Sequence, residues 1–182
     1  MLVDSIGFSG AWLVKPNIYE DARGFFYEGY SRKDFLEYGL PDNFIQDGYS
    51  YNAKKNTFRG LHYQRHPFAQ ALYIKVLQGA IYDYVVDLRR ESDTYGRWVR
   101  TYLDDKSNSS IILSIGFAHG FLTTTDNTLV YYKMSNYYSK TQESFISFSD
   151  PILSLDIANR NDLIISSRDL AIKHLEGLPH DF

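Results

Sequence analysis

From Phe44 onward, apolar and polar residues alternate with a period of two, and turn residues interrupt the alternation at short intervals. Successive side chains leave a strand on opposite faces, so this period predicts strands. They fall at 44–52, 57–63, 71–77, 80–88, 97–103, 110–114, 117–123, 128–134 and 144–148. Ala53 to Asn56, the Gln78-Gly79 pair and the polar loops 89–96 and 104–109 separate them. Upstream, residues 11–14 read as an edge strand stopped by Pro16, 17–24 as a charged turn and 25–30 as another strand. Ser31 followed by Asp34 predicts the capped start of a short helix over 32–38, which Gly39 ends. Near the end, Ser166 or Ser167 would cap a second short helix through Glu176. Its apolar residues would be Leu170, Ile172 and Leu175, with Gly177 and Pro179 closing it. Many short strands joined by such turns predict a sandwich or barrel; the expected class is an all-β jelly roll with short peripheral helices. With no repeat or linker, 1–182 reads as one domain.

Composition narrows the function. Aromatic residues make up 16% of the chain, including 16 Tyr and 12 Phe, which suits half-buried strand faces. The chain has no cysteine, which excludes disulfides, thiolate metal sites and a cysteine nucleophile. The net charge is −3, and the 19 basic residues form no block, which argues against nucleic-acid binding. No apolar run approaches the ~20 residues that span a bilayer, and the start lacks the pattern of a signal peptide. These features read as a soluble, cytoplasmic protein.

The densest chemistry lies at residues 57–70, TFRGLHYQRHPFAQ, where Arg59, His62, Gln64, His66 and Gln70 sit between two strand runs. His62 and His66 are four residues apart, ~13 Å along a strand, too far to share one metal ion. There is no Gly-x-Ser-x-Gly elbow and no Gly-rich phosphate loop. A histidine that titrates near neutrality, set against the tyrosine cluster Tyr131, Tyr132, Tyr137 and Tyr138, makes a proton donor–acceptor pair across a pocket. The same tyrosines also read as core and rim packing.

Five stretches together resemble the dTDP-4-dehydrorhamnose 3,5-epimerase family: DARGFFYE (21–28), RGLHYQ (59–64) with Ala69-Gln70, VVDLRRESDTYGRW (85–98), GFAHGF (116–121) and YYKMSNYYSK (131–140). They occur in the family's order, and the resemblance runs from about residue 10 to 175. It implies a cupin-like jelly roll, a homodimer, no metal or other cofactor, and a nucleotide-sugar substrate used in surface polysaccharide or capsule assembly. His62 would be the catalytic base, Asp169 the carboxylate that orients it and Tyr132 the acid on the opposite face of the sugar. Arg59 and His119 would line the pocket, Gln46 and Tyr138 would touch the nucleotide, and Arg168, where a lysine is common, would be a substrate-binding cation. Arg23, Phe26 and Glu28 match a segment supplied by the partner subunit.

Three positions depart from the family pattern. Leu72 replaces a lysine near the sugar's C4 oxygen; Lys75 and Lys133 are expected on the opposite strand faces. Gly48 replaces an asparagine that touches the nucleotide, and Phe148 replaces a tryptophan. The expected activity is inversion at C3, C5 or both of a dTDP- or GDP-linked 4-keto-6-deoxy sugar or 4-keto heptose. The alternatives are a sugar-nucleotide-binding module without catalysis and a 3,4-ketoisomerase.

Overall fold

The computed structural model describes residues 1–157, 160–170, 174–178 and 182. Among these, the strands are β1 (Leu2–Ser5), β2 (Ala11–Lys15), β3 (Tyr19–Asp21), β4 (Gly24–Phe26), β5 (Gln46–Asn52), β6 (Phe58–Gln64) and β7 (Leu72–Gln78). They continue with β8 (Ala80–Asp87), β9 (Trp98–Asp104), β10 (Ser110–Leu113), β11 (Phe117–Thr123), β12 (Thr128–Met134) and β13 (Glu143–Phe145). One antiparallel sheet runs β1-β2-β10-β7-β12-β5 and the other β13-β6-β11-β8-β9, while β3 and β4 form a separate hairpin. The two large sheets face each other as a jelly roll.

Three apolar layers explain the strand sequences. Between the sheets, Ile74, Val76, Ile111 and Val130 meet Ile81, Val85, Phe117 and Phe121. On the outer face of the second sheet, Phe58, Leu61, Tyr84 and Val86 are covered by Leu153, Leu155, Ile157, Leu175 and Leu178. On the outer face of the first, Tyr73, Ile112 and Val14 meet Phe35 of helix α1 (Arg32–Glu37). Strands buried on both faces read as near-continuous apolar runs, which is why β8 and β11 lose the clean alternation of β5. At burial of this kind, each Leu, Ile or Phe contributes about 1.5–3 kcal/mol.

Most predicted elements form within two residues of their expected ends, and Ser31 caps α1 by accepting from the Asp34 N–H. Five regions differ, the first being the strand expected over 144–148, which forms as Glu143–Phe145 and stops three residues early. Residues 17–24 contain β3, paired with β4, where a turn was expected; the Asp21 carboxylate accepts from the Arg23 N–H and closes the hairpin. The strand expected over 25–30 stops at Phe26, because the chain crosses the sheet there and the Gly29 carbonyl accepts from the Tyr73 hydroxyl. β1 was not expected; it forms because β2 leaves an edge free to pair. The second helix does not form over the described part of its range: 167–170 is a turn and Leu175–Gly177 a single 3₁₀ turn. Asp169 turns inward to His62, and Asp150 takes the Leu175 N–H, so neither group continues a helix. Residues 171–173 and Pro179 lie outside the described residues. No helix among the described residues is long and apolar enough to cross a membrane.

Candidate active site

A cavity of about 280 Å³ opens between the sheets, with Arg59, His62 and His119 on one wall and Leu72, Tyr132 and Met134 on the other. The first wall depends on an irregularity between β6 and β11. His119 lies opposite His62, but Phe121 lies opposite Arg59, so three steps on β6 answer two on β11. A regular strand would send residues 59 and 62 to opposite faces; the bulge brings both to the cavity. Gly60 adopts φ +134°, and a Cβ there would lie 2.5 Å from the Gly120 Cα. Only two facing glycines permit this approach.

His62 Nε2 lies 2.6 Å from Asp169 Oδ1. Asp169 is 5% exposed and sits in a turn closed by its own N–H, which donates to the Ser166 carbonyl at 3.1 Å and to Ser166 Oγ at 3.2 Å. Burial pushes the Asp169 carboxyl up, but hydrogen bonds from His62, Ser166 and the Gly60 N–H outweigh burial and hold it below the usual carboxylate range. An ionised Asp169 requires the proton on His62 Nε2, which leaves the lone pair on Nδ1.

Tyr132 stands on the facing sheet. Burial raises its phenol pKa, the charge of Asp83 adds to the rise and Arg59 opposes it, so the hydroxyl keeps its proton at neutral pH. The ring of Tyr132 meets the edge of His119 at 6.1 Å between centroids. His119 Nε2 is 2.5 Å from Oδ2 of the fully buried Asp83. Arg59 Nε donates to Asn52 Oδ1 at 2.8 Å, which holds the guanidinium at the cavity edge.

At the mouth, the Tyr138 hydroxyl donates to Glu143 Oε2 at 2.6 Å, and Arg168 forms an ion pair with the same carboxylate. Gln46 Oε1 accepts from the Tyr138 N–H at 2.9 Å. Gln64 and Gln70 brace the same loop through the Ser139 N–H and the Asn136 carbonyl.

Of the residues singled out in the sequence, His62, Tyr132, Arg59, His119 and Tyr138 line the cavity, and Asp169 stands behind His62. Gln46 positions Tyr138, and Arg168 is engaged with Glu143. Arg23, Phe26 and Glu28 lie away from this cavity: the first two project from the exposed β3–β4 hairpin, and Arg23 pairs with Asp21. His66 is exposed, with its ring against Phe182. Leu72 does line the cavity, while Lys75 lies over the Tyr27 ring and Lys133 pairs with Asp47, as strand alternation requires. At Gly48, a Cβ would meet the Met134 Cε at 3.1 Å, so the Met134 thioether covers the space.

Asp83, Asn52 and Glu143 were missed in the sequence. Asp83 had a signal, being a carboxylate inside the apolar run of β8. Asn52 and Glu143 carried none, because each acts through another side chain that the fold brings to it: Asn52 through Arg59 and Glu143 through Tyr138 and Arg168.

The chain is similar to known proteins along nearly its whole length. A family described as dTDP-4-dehydrorhamnose 3,5-epimerase matches residues 5–177. A dTDP-4-dehydrorhamnose 3,5-epimerase of Methanothermobacter thermautotrophicus is 38% identical over 172 residues, 93% of this chain and 92% of that protein. The crystal structure of the same enzyme from Elizabethkingia anophelis superposes with a TM-score of 0.93 at 33% identity, covering 97% of each chain. A dTDP-6-deoxy-D-glucose-3,5-epimerase from Legionella pneumophila, solved with dTDP-4-keto-L-rhamnose, superposes at 0.91 with 34% identity, covering 98% of this chain and 94% of that one.

Proposed function

This chain belongs to the dTDP-4-dehydrorhamnose 3,5-epimerase family, and from that premise we propose that it is a cytoplasmic homodimer that inverts C3, C5 or both of a dTDP-linked 4-keto-6-deoxy sugar, with His62 as base and Tyr132 as acid. The observation that carries the reading is the His62–Asp169 pair on one wall of a cavity whose other wall presents Tyr132. A ketone at C4 acidifies the protons on both neighbouring carbons, because the carbanion delocalises into an enolate. Inversion requires a proton to leave one face of the ring and another to arrive on the opposite face. A sugar lying between the sheets has the His62 imidazole on one side and the Tyr132 hydroxyl on the other.

His62 accepts the proton on Nδ1, and the resulting imidazolium is stabilised by Asp169. Charge then develops on the C4 oxygen, where Arg59 is a cationic donor on the cavity wall and Leu72 offers none. Tyr132 returns a proton to the other face, and Arg59 eases the transient phenolate. Such placed proton transfers contribute on the order of 10²–10⁴-fold. The exposed ring of Tyr138, held by Gln46 and Glu143, offers a stacking surface for the nucleotide base. Arg23, Phe26 and Glu28, unused by their own cavity, would complete the site of a second copy.

Deuterium incorporation tests the reading. In D₂O, the protein with dTDP-4-keto-6-deoxyglucose should yield product heavier by two deuterons for a double epimerase and by one for a single-centre enzyme. GDP-linked hexose and heptose analogues in parallel report the nucleotide and sugar preference. His62→Asn and Tyr132→Phe should each lower turnover by roughly 10²-fold or more. Exchange with no 4-keto sugar would overturn the assignment in favour of a binding module.

A further inference from the structure

Arg59 is the one Arg or Lys lining the cavity among the described residues, and it is exposed. A long side chain at an open edge samples many rotamers, and that freedom is lost before its charge can act at one point. Its one hydrogen-bond partner among the described residues is Asn52. Asn52 lies on β5, at the edge of the first sheet, and Arg59 on β6 of the second. Asn52 is 2% exposed, and its Oδ1 accepts from Arg59 Nε at 2.8 Å, so the bond spans from one sheet to the other.

The far end of the amide fixes its orientation. Asn52 Nδ2 donates to the Ser50 carbonyl at 3.0 Å and to the Thr128 carbonyl at 3.3 Å, Thr128 being the β12 residue paired with Asn52. Turned over, the amide would set its oxygen against both carbonyls and its NH₂ against the Arg59 Nε–H, and each contact would become repulsive. The acceptor therefore faces Arg59 before any ligand arrives. With Nε engaged, the terminal Nη groups have no partner among the described residues. The guanidinium already bears on the cavity, since its charge opposes the rise in the Tyr132 phenol pKa.

We propose that Asn52 is a positioning residue: by holding Arg59 Nε it aims the terminal guanidinium nitrogens at the oxygen where the enolate charge develops. A donor aimed in advance at developing charge needs no reorganisation at the moment of reaction. Alignment matters because a misplacement of about 1 Å at a catalytic group costs ~10²-fold in rate. Leu72 offers no cation on the facing wall, and Lys75 and Lys133 are engaged elsewhere, so the charge must come from Arg59.

This inference rests on the epimerase reading, but one of its readouts needs no turnover. An arginine Nε–H held in a hydrogen bond exchanges slowly with water and gives a resolved signal in a proton–nitrogen correlation spectrum, assigned by its loss in Arg59→Lys. In Asn52→Ala that signal should broaden or vanish while the backbone amides of β8 keep their positions. In the same variant kcat for the dTDP-linked 4-keto sugar should fall about tenfold or more, with KM within about threefold. Asn52→Asp separates the two ends of the amide. It keeps an acceptor for Arg59 and gives up the donors to Ser50 and Thr128. It should therefore lower the Tm yet restore the Nε–H signal and most of kcat. In an Arg59→Lys background, Asn52→Ala should lower kcat by less than about twofold more, because its effect passes through Arg59. An unchanged Nε–H signal in Asn52→Ala would overturn the proposal. So would Asn52→Asp behaving like Asn52→Ala, which would make the role structural, or a rise in KM with kcat intact, which would assign Arg59 to ground-state binding. Failure of the epimerase reading shows separately, as no deuterium exchange by the parent protein with any 4-keto sugar. The aim at an enolate then falls with it, even where Asn52 still holds the Nε–H signal.

Discussion

A single carboxylate links catalysis to stability in this site. Asp169 orients His62, caps the Gly60 N–H in the β6 bulge and is held below the usual carboxylate range despite its burial. A group whose folded pKa is depressed contributes stability above its unfolded value and loses that contribution as pH falls through the folded one. For Asp169 the contribution is complete above the ordinary value of 3.8 and disappears below it. Asp169→Asn should therefore lower the Tm at pH 7, and the gap to the parent should close as pH falls below 3.8; urea melts across that range measure it. The same substitution should cut kcat by roughly 10²–10⁴-fold with little change in KM, because Asn fixes neither tautomer nor charge. The sequence made His62 and Tyr132 visible through their motifs. It did not show Asp83 as the partner of His119, because that contact joins β8 to β11 and depends on which face each strand buries.

Elements whose boundaries depend on local chemistry were legible, and the irregular one was not. The Ser31 cap, the Gly39 stop and the strands β11 and β12 follow from side-chain preferences and period alone. The β6–β11 bulge does not, since a period of two places Arg59 and His62 on opposite faces. The two facing glycines are the only trace of it. Gly120→Ala would place a Cβ 2.8 Å from the Arg59 carbonyl and 3.0 Å from the Gly60 Cα. Overpacking of this kind costs about 1–3 kcal/mol, and for a chain of this size each kcal/mol lowers the Tm by about 2–4 °C. Activity should fall further than stability, because Arg59 and His62 both hang on the bulge. Gly177→Ala is the matched control: none of the described residues lies within 4 Å of its added carbon, and thermal melts should show little change.

For the whole molecule, the unanswered geometry is that of the β3–β4 hairpin. Phe25 and Phe26 are 59% and 65% exposed, and Arg23 has no partner beyond Asp21 among the described residues. If this hairpin completes the cavity of a second copy, two inactive variants should rescue each other. Arg23→Ala and His62→Asn chains, refolded together in equal amounts, would form mixed dimers with one intact site, recovering about a quarter of parental activity. No recovery on mixing, with mixed dimers verified by native mass spectrometry, would place Arg23 in its own chain's site or in none. The sequence by itself determined the class of this protein: the period of two, the aromatic strands and five ordered motifs specify a β fold and its family. Those features are local or additive, so they survive without coordinates. Tertiary structure alone decided which residues meet. The bulge that aims Arg59, the Asp83 behind His119, the Glu143 that meets Arg168, and the turn that replaces a helix to deliver Asp169 all join positions far apart in the chain. Their energies come from burial and pairing that exist only once the sheets have closed.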